Sequence, residues 1–214
     1  ETCAALCDRL EGIAGILSVA NVIRRDPDGT LTGRILDGDG FVGGLRAHAV
    51  DPDGAAVLII GAGGVALAIA AALMEAGAAR IAVWNRTPAR AAAMIARLER
   101  LAAAQALPAR LEIAVAPDPA GFGIAINATT LGMHEGDPLP MALDGAAPGT
   151  VVAEVIMQPR VTPLLAEAAA RGLKTVPGEA MIAGQIDPFI DFVLGAATGT
   201  DGAAEATMTQ RRAG

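Results

Sequence analysis

An α/β fold built on a doubly wound parallel sheet is the class that the sequence predicts, on three observations. Short apolar runs alternate with helical patterns through most of the chain, an order that builds a parallel sheet with helices on both faces. The run Val57-Leu-Ile-Ile60 has no polar alternation, as in a strand buried on both sides. It leads directly into Gly61-Ala-Gly-Gly-Val-Ala66, a glycine-rich turn that opens a helix.

The elements are expected in this order. Leu6, Leu10, Ile13 and Ala14 recur at helical spacing, so 1–14 predicts a helix, with Gly12 and Gly15 at its end. Residues 16–25 predict a strand, and 31–36 its return as a hairpin. Between them Asp26-Pro-Asp-Gly29 is a turn in which Pro fixes φ and Gly accepts positive φ. Asp37-Gly-Asp-Gly40, good turn sequence, precedes a short helix from about 41 to 48. After the Asp51-Pro-Asp-Gly54 turn come the strand 57–60, a helix over 65–75 closed by Gly77, and a strand over 80–84. Thr87-Pro88 couples an N-cap to Pro at the first helical position and starts a helix to about 104. Strands follow over 111–115, 124–127 and 151–156. Thr162-Pro163 repeats the cap for a helix ending at Gly172, before a strand over 173–176 and a last helix over 180–194. The tail from Gly195, rich in Gly, Ala and Thr, is assigned no structure.

Composition excludes several function classes. Sixteen basic residues stand against 23 acidic ones, net charge −7, so a phosphate-binding nucleic-acid surface is disfavoured. Aromatics make up 2%, with no Tyr, which removes base-stacking platforms. The mean hydropathy of +0.47 comes from alanine. Apolar runs are short and broken by Gly, so no membrane span is expected. No signal peptide opens the chain. Cys3 and Cys7 make no disulfide framework and fit a reducing cytoplasm. His48 and His134 stand apart from each other and from the cysteines, so no metal-ligand spacing is present. Arg97 and Arg100 read as solvated. The chain opens at Glu1 rather than Met and reads as a fragment, and its single lysine is Lys174.

The glycine loop carries the first chemical reading. Gly61 permits the tight turn, Gly63 lets backbone approach a pyrophosphate, and Ala66 lets the helix pack closely on the sheet. Residues Gly61, Ala62, Gly63, Gly64 and Val65 then present N–H groups and a helix N-terminus to phosphates. The second strand ends Trp84-Asn85-Arg86-Thr87, where a carboxylate is absent and a guanidinium is present. Arg86 can pair with a 2′-phosphate, Asn85 and Thr87 can donate hydrogen bonds, and Arg90 lies one helical turn further. NADP is therefore expected over NAD. The bland alternatives are a bare structural turn and arginines solvated at a helix start.

Several motifs together resemble the shikimate dehydrogenase family from about residue 1 to 195. They are Gly61-Ala-Gly-Gly64, Asn85-Arg-Thr87 with Arg90-Ala91, Asn127-Ala-Thr-Thr-Leu-Gly-Met133, Thr162-Pro-Leu-Leu165, and Gly178-Glu-Ala-Met181 with Gln185. The resemblance implies that 1–40 is the C-terminal part of a substrate domain and 41–178 a Rossmann NADP-binding domain. It implies that 179–195 is a helix packing back toward the substrate domain and 196–214 a tail. It also implies reversible hydride transfer between NADP and a cyclic hydroxy or keto acid, shikimate and 3-dehydroshikimate or a related compound, in aromatic amino acid biosynthesis. Such transfer needs a proton source for the oxygen, supplied in the family by a Lys–Asp pair. Aligning Gly40-Phe41 makes Asp37 the catalytic match. Asn21 and Gln185 match substrate-binding positions, and Asn127, Ala128, Thr129, Met133 and Met181 match positions around the cofactor.

Departures from the pattern accompany these matches. The family's lysine precedes the first helix, ahead of Glu1, and Lys174 does not replace it. Asn-Thr before the aspartate loop has become Ile35-Leu36, and Asp-x-x-Tyr-x-Pro reads Glu154-Val-Ile-Met157-Gln-Pro159 without the Tyr hydroxyl. Shikimate itself is accordingly expected to bind poorly, because its hydroxyls would lose water without gaining partners. The alternative reading is a non-catalytic or degenerate NADP-binding module. A homodimer is compatible with both.

Overall fold

The computed structural model describes residues 3–195, so the tail expected over 196–214 lies outside the described residues. The first unit is a sheet of three short strands, β1 (Arg9–Leu10), β2 (Val22–Arg25) and β3 (Leu31–Arg34), in the order β1-β3-β2. β2 and β3 form the expected antiparallel hairpin, with Gly29 at φ +93° and Asp26 bonded to Thr30 across the turn.

The helix expected over 1–14 does not form. Ala4–Leu6 makes one 3-10 turn, Arg9 and Leu10 pair with Thr32 and Gly33, and a five-residue helix α1 (Ile13–Leu17) begins later. Gly12 turns at φ +58°, and strand pairing outweighs a weak helical propensity. Ile16 and Leu17 thereby belong to α1, which shortens the strand expected over 16–25 to β2. The Asp37-Gly-Asp-Gly40 segment is also not a turn. It is the first turn of α2 (Asp37–Ala47), where two carboxylates suit the positive end of the helix.

The second unit is a six-stranded sheet. Its strands are β4 (Ala56–Ile60), β5 (Arg80–Trp84), β6 (Arg110–Ile113), β7 (Ile124–Asn127), β8 (Val151–Glu154) and β9 (Lys174–Val176). Every neighbouring pair is parallel, in the order β6-β5-β4-β7-β8-β9. The helices are α3 (Gly64–Glu75), α4 (Pro88–Gln105), α5 (Pro163–Ala170) and α6 (Glu179–Leu194). Val57 and Ile59 enter a core with Ile69, Leu73 and Leu98, while Leu58 and Ile60 enter another with Leu164 and Leu165. Alternate residues of one strand thus fill opposite faces, which is why β4 needs an uninterrupted apolar run. Strand order reverses between β4 and β7, and the crevice outside their C-terminal ends is where such sheets bind ligands. Of the two expected caps, Thr162 accepts a bond from the Leu165 N–H at 3.3 Å, whereas the Thr87 side chain makes no capping bond. Among the described residues no helix is long and apolar enough to cross a membrane.

The two units are joined by backbone packing along α2. A Cβ on Gly38 would stand 2.2 Å from Ala68 O on α3. On the opposite side, a Cβ on Gly40 would stand 2.5 Å from Met181 O, one on Gly44 2.6 Å from Ala180 O, and one on Gly184 2.2 Å from Gly40 O. Arg24 adds a side-chain link: it donates to Phe192 O at 2.5 Å and lies over the Phe192 ring at 4.6 Å. Gly184→Ala should lower stability by about 1–3 kcal/mol through overpacking. Gly123→Ala, whose Cβ would meet only Ala56 O at 3.9 Å, should stay within about 0.5 kcal/mol of the parent. Urea denaturation of the two variants checks the difference.

Candidate active site

Three residues far apart in sequence meet at the start of α2. Asn21 Nδ2 donates to Asp37 Oδ1 at 2.7 Å, and Gln185 Nε2 donates to the same oxygen at 2.9 Å. Asn21 Oδ1 accepts from the Leu36 N–H at 3.0 Å, which fixes the amide the right way round. The partners come from the chain just before β2, the first turn of α2 and the middle of α6. Asp37 is half-buried, and its Oδ2 has no hydrogen bond among the described residues. Both donors are neutral amides, so they orient the carboxylate without cancelling its charge.

The glycine loop stands one helix away. Gly61 turns at φ +115°, donates to Trp84 O at 2.8 Å, and lies so close to the next strand's loop that a Cβ would be 2.6 Å from Ala128 O. Gly63 and Gly64 instead face open space, with nothing within 4 Å of their Cβ positions. The first α3 bond is Leu67 N–H to Gly63 O, so the N–H groups of Gly64, Val65 and Ala66 point outward. No acidic residue occupies that first turn. A cleft of about 410 Å³ opens here, bounded by Ala62, Gly63, Gly64, Leu67, Arg90 and Arg97. Arg97 is therefore not a solvated surface residue as expected: it lines this cleft and bonds the Leu17 carbonyl, joining α4 to α1.

Arg86 and Arg90 are exposed at the start of α4. Among the described residues neither makes an ion pair, and Asn85 Nδ2 bonds Thr87 O at 3.0 Å. Arg90 borders the cleft, whereas Arg86 stands outside its lining. Met133 is 45% exposed beside the β7 loop, but Met181 is buried in α6, with its carbonyl against Gly40. Lys174 begins β9, at the end of the sheet opposite the crevice, and bonds Ala49 O at 3.0 Å. Ile35 and Leu36 are buried in the core, so the polar pair they replace would face inward. Of the two departures invoked against shikimate, only exposed Met157 remains near a surface.

A further carboxylate, absent from the residues that the sequence points to, joins Asn127 and Thr129. Glu154, fully buried at the end of β8, accepts bonds from Asn127 Nδ2, from the Val155 and Ile156 N–H groups and from Thr162 Oγ1. Asn127 Oδ1 in turn accepts from Thr129 N and Oγ1, and its Nδ2 also donates to Leu131 O. Burial pushes the Glu154 carboxyl up, and its donors pull it down less strongly. Its only trace in the sequence is its position at the head of the Glu154–Pro159 motif.

Fold and loop together define a Rossmann-type α/β protein. The family model described as shikimate / quinate 5-dehydrogenase matches residues 46–116. The chain is 39% identical over 187 residues to shikimate dehydrogenase (NADP(+)) of Rubrobacter xylanophilus, covering 85% of this chain and 64% of that one. It is 37% identical over 213 residues to the enzyme of the same name from Rhodospirillum rubrum, covering 97% and 74%. Among solved structures, ligand-free 5-ketofructose reductase of Gluconobacter sp. strain CHM43 superposes with a TM-score of 0.80 at 31% identity, over 91% of this chain and 69% of that one. The chain thus spans just under two thirds of the first of these relatives. It belongs to the shikimate dehydrogenase family.

Gly61 and Gly63 should tolerate alanine to very different degrees. Gly61→Ala forces a side chain into positive φ and onto Ala128 O, and should cost about 1–3 kcal/mol or more. Gly63→Ala, at φ −94° with open space around it, should change stability by less than about 0.5 kcal/mol. Thermal denaturation of both variants reads this directly.

Proposed function

We propose that this chain is the larger part of an NADP-dependent oxidoreductase of the shikimate dehydrogenase type. It would exchange a hydride reversibly between NADP and a cyclic hydroxy or keto acid, shikimate and 3-dehydroshikimate or a related compound. The observation that carries this reading is the convergence of Asn21, Asp37 and Gln185 one helix away from the glycine loop. The names of both relatives specify NADP(+), which supports the cofactor.

The residues present fit that cofactor. The outward N–H groups of Gly64 and Val65, beside Gly61, Ala62 and Gly63, suit a pyrophosphate. Gly63 and Gly64 leave the room that a close approach needs. Arg86, with Asn85, Thr87 and Arg90, would hold a 2′-phosphate, and Asn127, Ala128, Thr129 and Met133 would border the nicotinamide end, whereas Met181 is buried against Gly40. When bound, NADPH supplies the hydride that reduces the carbonyl carbon. The chain's part is the proton that the oxygen gains. Asp37 Oδ2 would hold the ammonium of a lysine beside the reacting oxygen, while Asn21 and Gln185 keep Oδ1 fixed. On the family pattern that lysine precedes the first helix, and Lys174 is at the wrong end of the sheet.

The division of the chain near residue 40 belongs to the same proposal, with 41–178 holding the cofactor and α6 packing back toward the substrate part. The contact of Arg24 with the Phe192 carbonyl and ring supports that packing. A cytoplasmic location fits the two free cysteines. A homodimer is the assembly that light scattering would test. A nucleotide-binding module without catalysis is the second reading, supported by the placement of Lys174 away from Asp37.

Arg86→Ala should weaken NADPH binding about ten- to a hundredfold, the worth of a charge-assisted contact, and NADH binding far less. Equal losses in fluorescence titrations with the two cofactors would defeat the assignment. Asp37→Asn, assayed in a protein that carries the preceding lysine, should lower kcat about 10²–10⁴-fold with little change in NADPH affinity. An unimpaired kcat would show that the catalytic group lies elsewhere.

A further inference from the structure

We infer that Glu154 is a positioning residue: its carboxylate sets the side-chain amide of Asn127, and through it the 128–133 turn that abuts the glycine loop. The geometry is a chain of contacts with one sense. Asn127 and Glu154 are paired in register at the C-terminal ends of β7 and β8, on the crevice side of the sheet. Both carboxylate oxygens receive Asn127 Nδ2, at 3.0 and 3.1 Å. That leaves Asn127 Oδ1 facing Thr129, whose N–H and hydroxyl donate to it at 3.1 and 2.7 Å. Thr129 Oγ1 then accepts from the Leu131 N–H at 3.0 Å. A flipped amide would set Oδ1 against a carboxylate and against the Leu131 carbonyl, and an NH2 group against a donor, so Glu154 and Leu131 O together select one orientation. Ala128 N–H bonds Ile60 O, and Ala128 O crowds Gly61, so a shift of this turn reaches the glycine loop.

Every group that meets Glu154 can only donate to it or does so here: Asn127 from β7, the two N–H groups after β8, and Thr162 at the cap of α5. None carries a charge. Glu167 on α5 is paired with Arg171 at the other end of that helix. Glu135 and Asp137 both follow the turn, and Asp137 is held below the usual carboxylate range by the Gly132 and His134 N–H groups. A proton on one Glu154 oxygen would turn that oxygen from an acceptor into a donor among donors and weaken its hold on the Asn127 amide, leaving Leu131 O and Thr129 as the amide's other partners. Burial moves that event upward from the ordinary carboxyl range. The turn should loosen as pH falls, and dinucleotide affinity should fall with it. This last consequence rests on the reading of the glycine loop as an NADP site.

Two measurements on the 214-residue chain test the inference. In ¹⁵N spectra of the free protein, the Asn127 side-chain amide and the Thr129 backbone amide should shift together in one pH step. Glu154→Gln should abolish that step, and Glu154→Asp, which keeps a carboxylate, should restore one. Flat signals in the parent, or a step that survives Glu154→Gln, overturns the proposal. By calorimetry, NADP⁺ affinity should fall roughly tenfold more in the parent than in Glu154→Gln between about pH 7.5 and about pH 5, the scale of one charged hydrogen bond. The comparison is needed because the 2′-phosphate titrates near pH 6. Equal pH dependence in the two proteins also overturns it. Absence of NADP⁺ binding would instead refute the proposed function, and the ¹⁵N readout would still decide the role of Glu154.

Discussion

The backbone of α2 touches two other helices at once, and the candidate site depends on that contact. Gly38 admits the carbonyl of Ala68 on α3, while Gly40 and Gly44 admit the backbone of α6 around Met181, Ala180 and Gly184. Any side chain at these positions would push the helices apart, because protein interiors have no slack to absorb a methyl group. The approach brings Gln185 onto the Asp37 carboxylate and keeps Asp37 next to the helix that the glycine loop opens. Arg24 holds the far end of α6 against β2, so the strand that follows Asn21 also fixes the helix that carries Gln185.

Two carboxylates near the crevice are treated differently by their surroundings. Asp37 is half-buried, receives two neutral amides on one oxygen, and sits at the positive end of α2. One oxygen is thereby held by the protein, and the other is left to meet a cation. Glu154 is fully buried, and its oxygens are occupied by neutral donors within the protein. Its charge is spent on orienting a turn rather than on a ligand. The arginines complete the pattern: Arg86, just past β5, and Arg90, in the first turn of α4, have no ion pairs among the described residues, where an anion would complement them, in a protein whose overall charge is −7.

The sheet was legible in the sequence because its signals are local. A strand buried on both faces must be apolar throughout, a turn at φ +115° favours glycine, and Thr-Pro starts a helix, so β4, the glycine loop, α4 and α5 could be read from short windows. The first forty residues were less legible. Leu6, Leu10 and Ile13 have helical spacing, yet Arg9 and Leu10 are extended because β3 lies beside them. Asp37-Gly-Asp-Gly40 resembles a turn because its glycines are poor helix formers, and they are there for contacts with α3 and α6 that no local window contains.

The sequence by itself determined the fold class, the glycine loop, the basic end of β5, and the identity of Asn21, Asp37 and Gln185 as residues of interest. Only the tertiary structure decided that those three share one carboxylate oxygen, that Ile35 and Leu36 face the core, that Arg97 borders the cleft, and that Glu154 governs Asn127. The physical reason is range. Strand burial, turn geometry and helix starts are settled within a few residues, whereas Asn21 lies 16 residues and Gln185 148 residues from Asp37. Bringing them together requires the closed packing of α2, α3 and α6, which exists only once the whole chain has folded.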